Sequence, residues 1–573
     1  MIKIAFFSKL LVLPVAGFGL LVAAPHGKIA KDIKHDNPQE KLDVIVTFKN
    51  APTTEHHEKV KARGGRLKHN LGLVKGGLYT ITAGELETLA EDPDVESIHP
   101  DRQVRAALDN AAAAVNAQAA VSAKLNGTGI GIAVIDSGIA PHADFNDTKG
   151  VSRVVYRQDF VCSGCTGDPY GHGTHVAGII AGNAAYSGDS TFFRRFRGIA
   201  SNAKLIDLRV LDSNGVGTDS KVIAAIQRAI QLKSTYNIRV INLSLGRPVY
   251  GSYLDDPLCQ AVEQAWNAGI VVVVAAGNQG RNNNGGIQGY GTIAAPGNDP
   301  YVITVGAMKS GGTPERSDDR IASYSSKGPT LYDHFLKPDL VAPGNQLVST
   351  AYAWGYPTLY QQYSTTKIPM TYYAVSGSSA AAIWYYKLNG TSMATPVVSG
   401  AVAVLLQKTP ALTPNQVKAR LMKTAYKSFP ASSVAVDPAT GQAFSSYYDA
   451  FTVGAGYLDI QAALANRDLA SGSALSPKAV HDPSTQTVSL VFAPNSAWGT
   501  SLVWGTSLVW GTQVVSGTSL VWGTSLVWGT SGTEGFDVLW GTGSNGTVDP
   551  ASIVWGTGSG NVNPLSVLTQ GEN

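Results

Sequence analysis

Ile130-Gly-Ile-Ala-Val-Ile-Asp136-Ser-Gly138 is a short, continuous apolar run that ends in a carboxylate and a small-residue turn. Similar runs, Lys204 to Leu211, Arg239 to Leu245, Ile270 to Ala276 and Val302 to Ala307, alternate with helical stretches at Val176 to Ala185, Ser220 to Leu232, Pro257 to Ala268 and Ser392 to about Leu406. Continuous apolar strands alternating with helices predict an α/β domain, a doubly wound parallel sheet covered on both faces. Such sheets bind ligands beyond the carboxyl ends of their strands. Asp136 and Asn278 each follow a predicted strand, while His172 and Ser392 each precede a predicted helix, so all four can meet at that rim.

Their order carries chemistry. Asp136 is followed by Gly171-His172-Gly-Thr-His175-Val-Ala-Gly178 and, much later, by the small-residue turn Gly390-Thr-Ser-Met-Ala-Thr-Pro396, which opens onto an apolar helical run. Asp, His, Ser is one of the orders in which a catalytic triad occurs. Taken singly, each residue has a plainer reading: Ser392 as a helix cap, Asp136 as an Asx turn before Gly138, Asn278 as a turn residue. Either His172 or His175 would lie near the start of one helix, and chemistry alone does not choose between them.

From roughly Gly129 to Leu464 the chain resembles the subtilisin-like serine proteases, the subtilase family. The likeness rests on Ile135-Asp136-Ser-Gly138, His172-Gly-Thr-His-Val-Ala-Gly178, Ala275-Ala-Gly-Asn278 and Gly390-Thr-Ser-Met-Ala-Thr-Pro396. It implies a subtilisin-like catalytic domain over 129–464, a serine endopeptidase acting on polypeptides through an acyl-enzyme. Ser392 would be the nucleophile and His172 its base, with Asp136 holding the imidazole tautomer. Asn278 and the Ser392 backbone N–H would stabilise the oxyanion. Ser244-Leu245-Gly246 and Ser213 to Gly217, with Gly215 and Gly217, resemble the cleft walls on which an extended peptide pairs as an added strand. Ala294, in Ala294-Ala-Pro296, would floor a small, uncharged first subsite suited to apolar or medium-sized residues. The loop Gly182 to Gly198 does not resemble the family's strong calcium loop, and no stretch has a dense carboxylate set. No cofactor is therefore assigned, and Ca2+ as a structural ion stays open.

The 573 residues exceed what one core usually serves. Met1 to about Ala24 carries Lys3 and Lys9, the apolar run Leu10 to Val22 and then Ala23-Ala24, which reads as a secretory signal over 1–24. A product that is secreted or held at the cell surface follows. Residues 42–107 mix strand-like and helical patterns (Asp43 to Phe48, Thr54 to Gly64, Gly77 to Thr82, Ala83 to Glu91, Val95 to His99), a small α+β unit. In position and pattern it is similar to the family's inhibitory propeptide, an intramolecular inhibitor cut away within the Ala-rich stretch Ala106 to Ala123.

Net charge is +3, of which Lys3 and Lys9 supply two. With no basic face, nucleic acid is excluded as a partner. Cys162, Cys165 and Cys259 are the only cysteines, and Cys162-Ser-Gly-Cys165 suits a local disulfide or plain loop thiols. Between Ala342-Pro-Gly344 and Gly390 lies an insertion rich in Tyr, Ser and Thr, including Tyr352, Trp354, Tyr360, Tyr372, Tyr373 and Trp384. It reads equally as a flap or exosite at the cleft or as a surface loop with its own small aromatic cluster.

Residues 465–494 read as a linker with one strand-like run, Thr487 to Phe492. From 495 to 557 a unit Ser-Leu-Val-Trp-Gly-Thr recurs, placing Trp498, Trp504, Trp510, Trp522, Trp528, Trp540 and Trp555 mostly six apart. An even period keeps every Trp on one side of an extended strand, so a β-rich repeat tail of short hairpins or a small solenoid is expected. Such a tail offers a cell-surface or glycan contact, and an adhesion protein carried by it is the alternative to an enzyme. A binding protein, however, has no use for Asp136, His172, Ser392 and Asn278 together.

Overall fold

The computed structural model describes residues 27–497, apart from 31–32, 34–36, 102, 107–113, 163–166, 190, 193, 283–287, 311–315, 353–354, 356, 375–379, 439 and 483–486, and beyond them 508–510, 526–528 and 564–572. The secretory-signal reading of 1–24, Cys165, Trp354 and most of the Trp repeat lie outside the described residues.

The N-terminal unit is an antiparallel sheet, β1 (Lys41–Phe48), β2 (Arg66–Leu71), β3 (Gly76–Thr82) and β4 (Val95–Pro100), in the order β2-β3-β1-β4, with helices α1 (Thr54–Ala62) and α2 (Leu86–Ala90). Strand side chains alternate between faces, and β1 uses both. Val44, Val46 and Phe48 join Val60, Tyr79, Leu86 and Leu89 in a core of the unit's own. Ile45 joins Leu71, Val74 and Leu78 in the core shared with the catalytic domain. Asp101 then accepts hydrogen bonds from the Ser220 N–H at 2.7 Å and the Ser220 hydroxyl at 2.6 Å. β5 (Gln103–Ala106) follows, and α3 (Gln118–Ser122) leads into the main domain.

The main sheet runs β14-β13-β12-β10-β6-β8-β7, with β15 also beside β13. The strands are β6 (Gly131–Asp136), β7 (Val154–Asp159), β8 (Lys204–Arg209), β10 (Ile238–Leu243), β12 (Val271–Ala275), β13 (Ile303–Lys309), β14 (Arg320–Ile321) and β15 (Leu340–Pro343). Every pairing is parallel except β13 with β14. Around it lie α4 (His172–Ala181), α5 (Asp219–Gln231), α6 (Lys233–Tyr236), α7 (Pro257–Asn267), α9 (Thr391–Lys408), α10 (Pro414–Thr424), α11 (Ala450–Val453) and α12 (Ile460–Ala465). Helix α9 is buried from Thr391 to Leu406 and packs on α4 and on β10, β12, β13 and β15, a central position that its lack of a polar face requires. Strand order reverses on either side of β6 and β10, so the carboxyl rim opens there.

A second, three-stranded sheet, β11-β5-β9, is built from β9 (Val216–Thr218) and β11 (Leu245–Gly246) with β5 between them. Arg247, next to β11, is buried between Asp219 at 3.0 Å and Asp256 at 2.7 Å. This anchors the strand to the starts of α5 and α7.

The insertion folds as an antiparallel sheet of β16 (Leu347–Thr350), β17 (Lys367–Pro369) and β18 (Ala381–Leu388), with α8 (Thr358–Gln362). Ile368, Tyr373, Ala382 and Tyr385 form its separate core, with Tyr186, Phe192 and Phe196 packed against it. It also reaches the rim: Thr358 N–H donates to the Pro169 carbonyl, and Thr358 Oγ1 to that of Ser213.

Beyond β19 (Ser432–Val436) and β20 (Ala443–Tyr447), the stretch 465–494 is docked rather than loose. β21 (Lys478–Asp482) and β22 (Thr487–Val491) pair antiparallel, and Ala474, Ala479, Leu490 and Ala497 belong to the main core. Reading it as a linker followed its polar composition, whereas its few apolar residues are what pack. The two described pieces of the repeat, β23 (Leu508–Trp510) and β24 (Leu526–Trp528), pair parallel and in register. Cys162 is disulfide-bonded and Cys259 is a buried free thiol. No helix among the described residues is long and apolar enough to cross a membrane.

Lys427 is buried, donating to the carbonyls of Met422 at 2.7 Å and of Ala455, and burial pushes its pKa from an ordinary 10.5 to about 7. Between those values the unfolded chain holds a proton that the folded chain has released, so stability rises with pH across that window. Below about pH 7 the cost of charging the buried amine is fully felt. Unfolding of the Ser392→Ala chain, followed from pH 7 to 10.5, is expected to slow as pH rises, and Lys427→Met is expected to flatten that trend. An unchanged slope in Lys427→Met contradicts this account.

Candidate active site

Asp136 is the last residue of β6, and its carboxylate is taken up at once. Oδ1 accepts from the Ser137 N–H at 2.8 Å and lies 2.6 Å from His172 Nδ1. His172 opens α4 and is fully buried, with Asp136 1% exposed. His175, one turn on, points elsewhere: its Nε2 lies 3.0 Å from the Leu347 carbonyl and 3.2 Å from that of Tyr386. Burial holds its pKa well below the usual histidine value, so it is neutral. Geometry therefore separates two histidines that sequence chemistry alone leaves equivalent.

Ser392 lies in the first turn of α9, behind Gly390, whose φ of 133° caps that helix in a region that penalises any Cβ. The Ser392 carbonyl accepts from Ser244 Oγ at 2.7 Å, which ties the turn to the end of β10. Asn278, just beyond β12, turns its side-chain carbonyl toward Thr391, accepting from the Thr391 N–H at 2.9 Å with the Thr391 hydroxyl at 3.1 Å. That orientation commits the Asn278 carbonyl and leaves its amide group as a hydrogen-bond donor.

The residues expected to wall a cleft lie as follows. Leu245 and Gly246 form β11, Gly217 lies in β9, and the backbone of β5 occupies the space between them, Ala106 opposite Leu245 and Val104 opposite Gly217. Gly215 sits in the Asp212–Val216 turn beside the Tyr170 ring, which stacks at 6.2 Å on His172. Ala294 is fixed by its N–H to the Ala276 carbonyl at 2.9 Å, and Ala295 exchanges backbone hydrogen bonds with Arg247.

Sequence reading missed the group that sets the His172 helix. Asp168 is buried and accepts from the N–H groups of Gly171 and Thr174, both at 2.8 Å, from Thr174 Oγ1 at 2.7 Å and from Ser137 Oγ at 2.7 Å. Ser137 Oγ in turn accepts the Gly173 N–H at 2.8 Å. Burial raises the Asp168 carboxyl pKa, which these hydrogen bonds oppose. Asp168-Pro169 shortly before a helix start was the available signal. From the insertion, Tyr386 Oη donates to the Gly171 carbonyl at 2.5 Å, bracing the same turn.

Residues 127–456 match the model of the subtilase family. The chain is 34% identical over 396 residues to serine protease AprX of Bacillus subtilis (strain 168), a match covering 66% of this chain and 82% of that protein. It is 32% identical over 389 residues to subtilisin E of the same strain, covering 66% and 84%. The fold is similar, at a TM-score of 0.55 and 22% identity, to fervidolysin from Fervidobacterium pennivorans, described as a keratinolytic enzyme related to subtilisin; that likeness covers 80% of this chain and 64% of the other. The chain therefore belongs to the subtilase family of subtilisin-like serine proteases.

Proposed function

We propose that the protein is an exported endopeptidase in which Ser392, His172 and Asp136 cleave peptide bonds through an acyl-enzyme, made as a precursor that cuts itself. The observation that carries this is the 2.6 Å contact of His172 with Asp136 at the rim where α9 presents Ser392. With Asp136 fixing a proton on Nδ1, the other ring nitrogen is left basic and can accept the Ser392 hydroxyl proton as Oγ attacks the scissile carbonyl. The oxyanion that forms is met by Asn278 Nδ2 and the Ser392 backbone N–H. The imidazolium then returns its proton to the departing amine, and water repeats the sequence to release the acid. A polypeptide enters extended between β9 and β11, pairing by backbone with Gly217 and with Leu245-Gly246. Ala294 leaves room for an apolar or medium-sized residue before the cut bond.

The N-terminal unit, 42–107, is read as the inhibitory propeptide because β5 already lies in that peptide-binding position. Its processing point falls within the Ala-rich stretch Ala106 to Ala123, of which 107–113 lie outside the described residues.

Incubating the secreted protein with a fluorophosphonate probe is expected to label the wild type and not Ser392→Ala. Intact mass is expected to show loss of the N-terminal unit only in the wild type. Labelling of Ser392→Ala would remove Ser392 from the nucleophile's role. Asn278→Ala is expected to lower kcat by about 10²–10³-fold with little change in KM, measured on a chromogenic peptide. Asp168→Ala acts through His172 as the loss of a positioning residue, with kcat down by up to about 10²-fold at similar KM. If kcat in Asp168→Ala is retained while the melting temperature falls, the residue serves stability alone.

A further inference from the structure

The last described residues of the chain return to the nucleophile turn. Pro564–Gln570 forms a short helix whose Val567 and Leu568 are each 1% exposed in the main core. Its Leu568 carbonyl accepts both the backbone N–H of Asn389, at 3.2 Å, and the Asn389 side-chain amide, at 3.1 Å. Gly571 follows with φ 65°, and a Cβ there would overlap Asn389 Oδ1, so only glycine passes. The Glu572 carbonyl accepts from Asn345 Nδ2 and Gln346 Nε2, both at 2.9 Å, while its N–H donates to Asn345 Oδ1 at 3.0 Å. Its carboxylate, in a residue 1% exposed, meets Arg281 at 2.8 Å, the Ser323 N–H at 2.9 Å and the Ser323 hydroxyl. Arg281 is itself buried and holds Asp437 with its other arm at 2.6 Å.

We propose that Arg281, Ser323, Asn345, Gln346 and Asn389 form a peptide-binding slot whose ligand is the chain's own C-terminal segment, a short apolar helix followed by Gly-Glu, and that its occupancy positions the nucleophile turn. The slot reads that ligand through backbone hydrogen bonds, one glycine and one buried carboxylate. Its walls belong to the same loops as the site: Arg281 lies three residues after Asn278, Asn389 three before Ser392, and Asn345-Gln346 follow Gly344, whose carbonyl accepts the Gly390 N–H at 2.8 Å. None of these residues is in the backbone ladder of β5.

The binding half of this proposal stands by itself, and the kinetic half rests on Ser392 as the nucleophile. Two variants test it, a chain ending at residue 563 and the full chain carrying Gly571→Val. Each is compared with wild type in kcat and KM on a short chromogenic peptide and in hydrogen exchange of residues 389–392. Both are expected to lose about tenfold in kcat at similar KM and to exchange faster at 389–392. A synthetic peptide of residues 564–573 is expected to bind the shortened chain saturably and restore kcat, where the same peptide with Glu572→Lys does not. If the shortened chain does not fold, exchange and kcat in Gly571→Val decide. Unchanged exchange together with full kcat in Gly571→Val overturns the proposal, as does failure of the peptide to bind a folded shortened chain. Retained activity in Ser392→Ala would instead remove the nucleophile assignment and leave slot binding, read by exchange and peptide titration, standing.

Discussion

Taking a carboxylate out of water costs several kcal/mol unless hydrogen bonds replace its hydration. Asp136 is 1% exposed and meets that requirement at one oxygen, Oδ1, with the Ser137 N–H and His172 Nδ1, while Oδ2 has no hydrogen-bond partner among the described residues. The bond to His172 works only if the ring arrives at one height and one angle, and nothing in β6 can enforce that alone. The start of α4 must therefore be pinned independently. Asp168 does so through Gly171, Thr174 and Ser137, and the insertion does so through Tyr386. Two buried carboxylates, one holding the ring and one holding the helix that carries it, make the site a consequence of desolvation as much as of sequence motif.

The same logic explains the far wall. β11 is only two residues long, too short to hold its place by ladder hydrogen bonds. Arg247 compensates with charge-assisted bonds to Asp219 and Asp256, which together raise its pKa against the opposing effect of burial. A strand held from its end by a buried ion network does not depend on its ladder alone, and here its edge is paired with β5.

How much of this could be read from sequence follows from the range of the interactions. The parallel strands β6, β8, β10, β12 and β13 were legible as largely apolar runs and α9 because it is apolar on every side, whereas β7, with Tyr156, Arg157, Gln158 and Asp159, has no such run and was not read. The rim position of Asp136, Asn278, His172 and Ser392 followed from those elements. β2 was not, since Arg66-Leu-Lys-His-Asn-Leu71 buries only Leu71 and has the charged character of an edge strand. Asp168 and Arg247 were missed although several of their partners lie close in sequence, and Glu572 for another reason: it meets Arg281 across 291 residues. Pairings of that kind leave no local pattern. The C-terminal segment did leave one, with Leu565, Val567 and Leu568 apolar ahead of Gly571, but it is short and lies in the shadow of the Trp repeat.

The two ends of the chain are attached to the catalytic domain by different physics. The N-terminal unit keeps a core of its own around Val44, Val46 and Phe48 and touches the domain with the opposite sheet face, through Ile45, Leu71, Val74 and Leu78. A unit built this way can leave as one body, but on leaving it exposes an apolar patch that raises its tendency to associate or unfold. The C-terminal segment has no core of its own, since its Val567 and Leu568 complete the core of the domain. Removing it leaves a gap beside Asn389 and takes from Arg281 one of its two carboxylate partners. It is thus built as a retained part of the catalytic domain, although the whole Trp repeat separates it from that domain in the sequence.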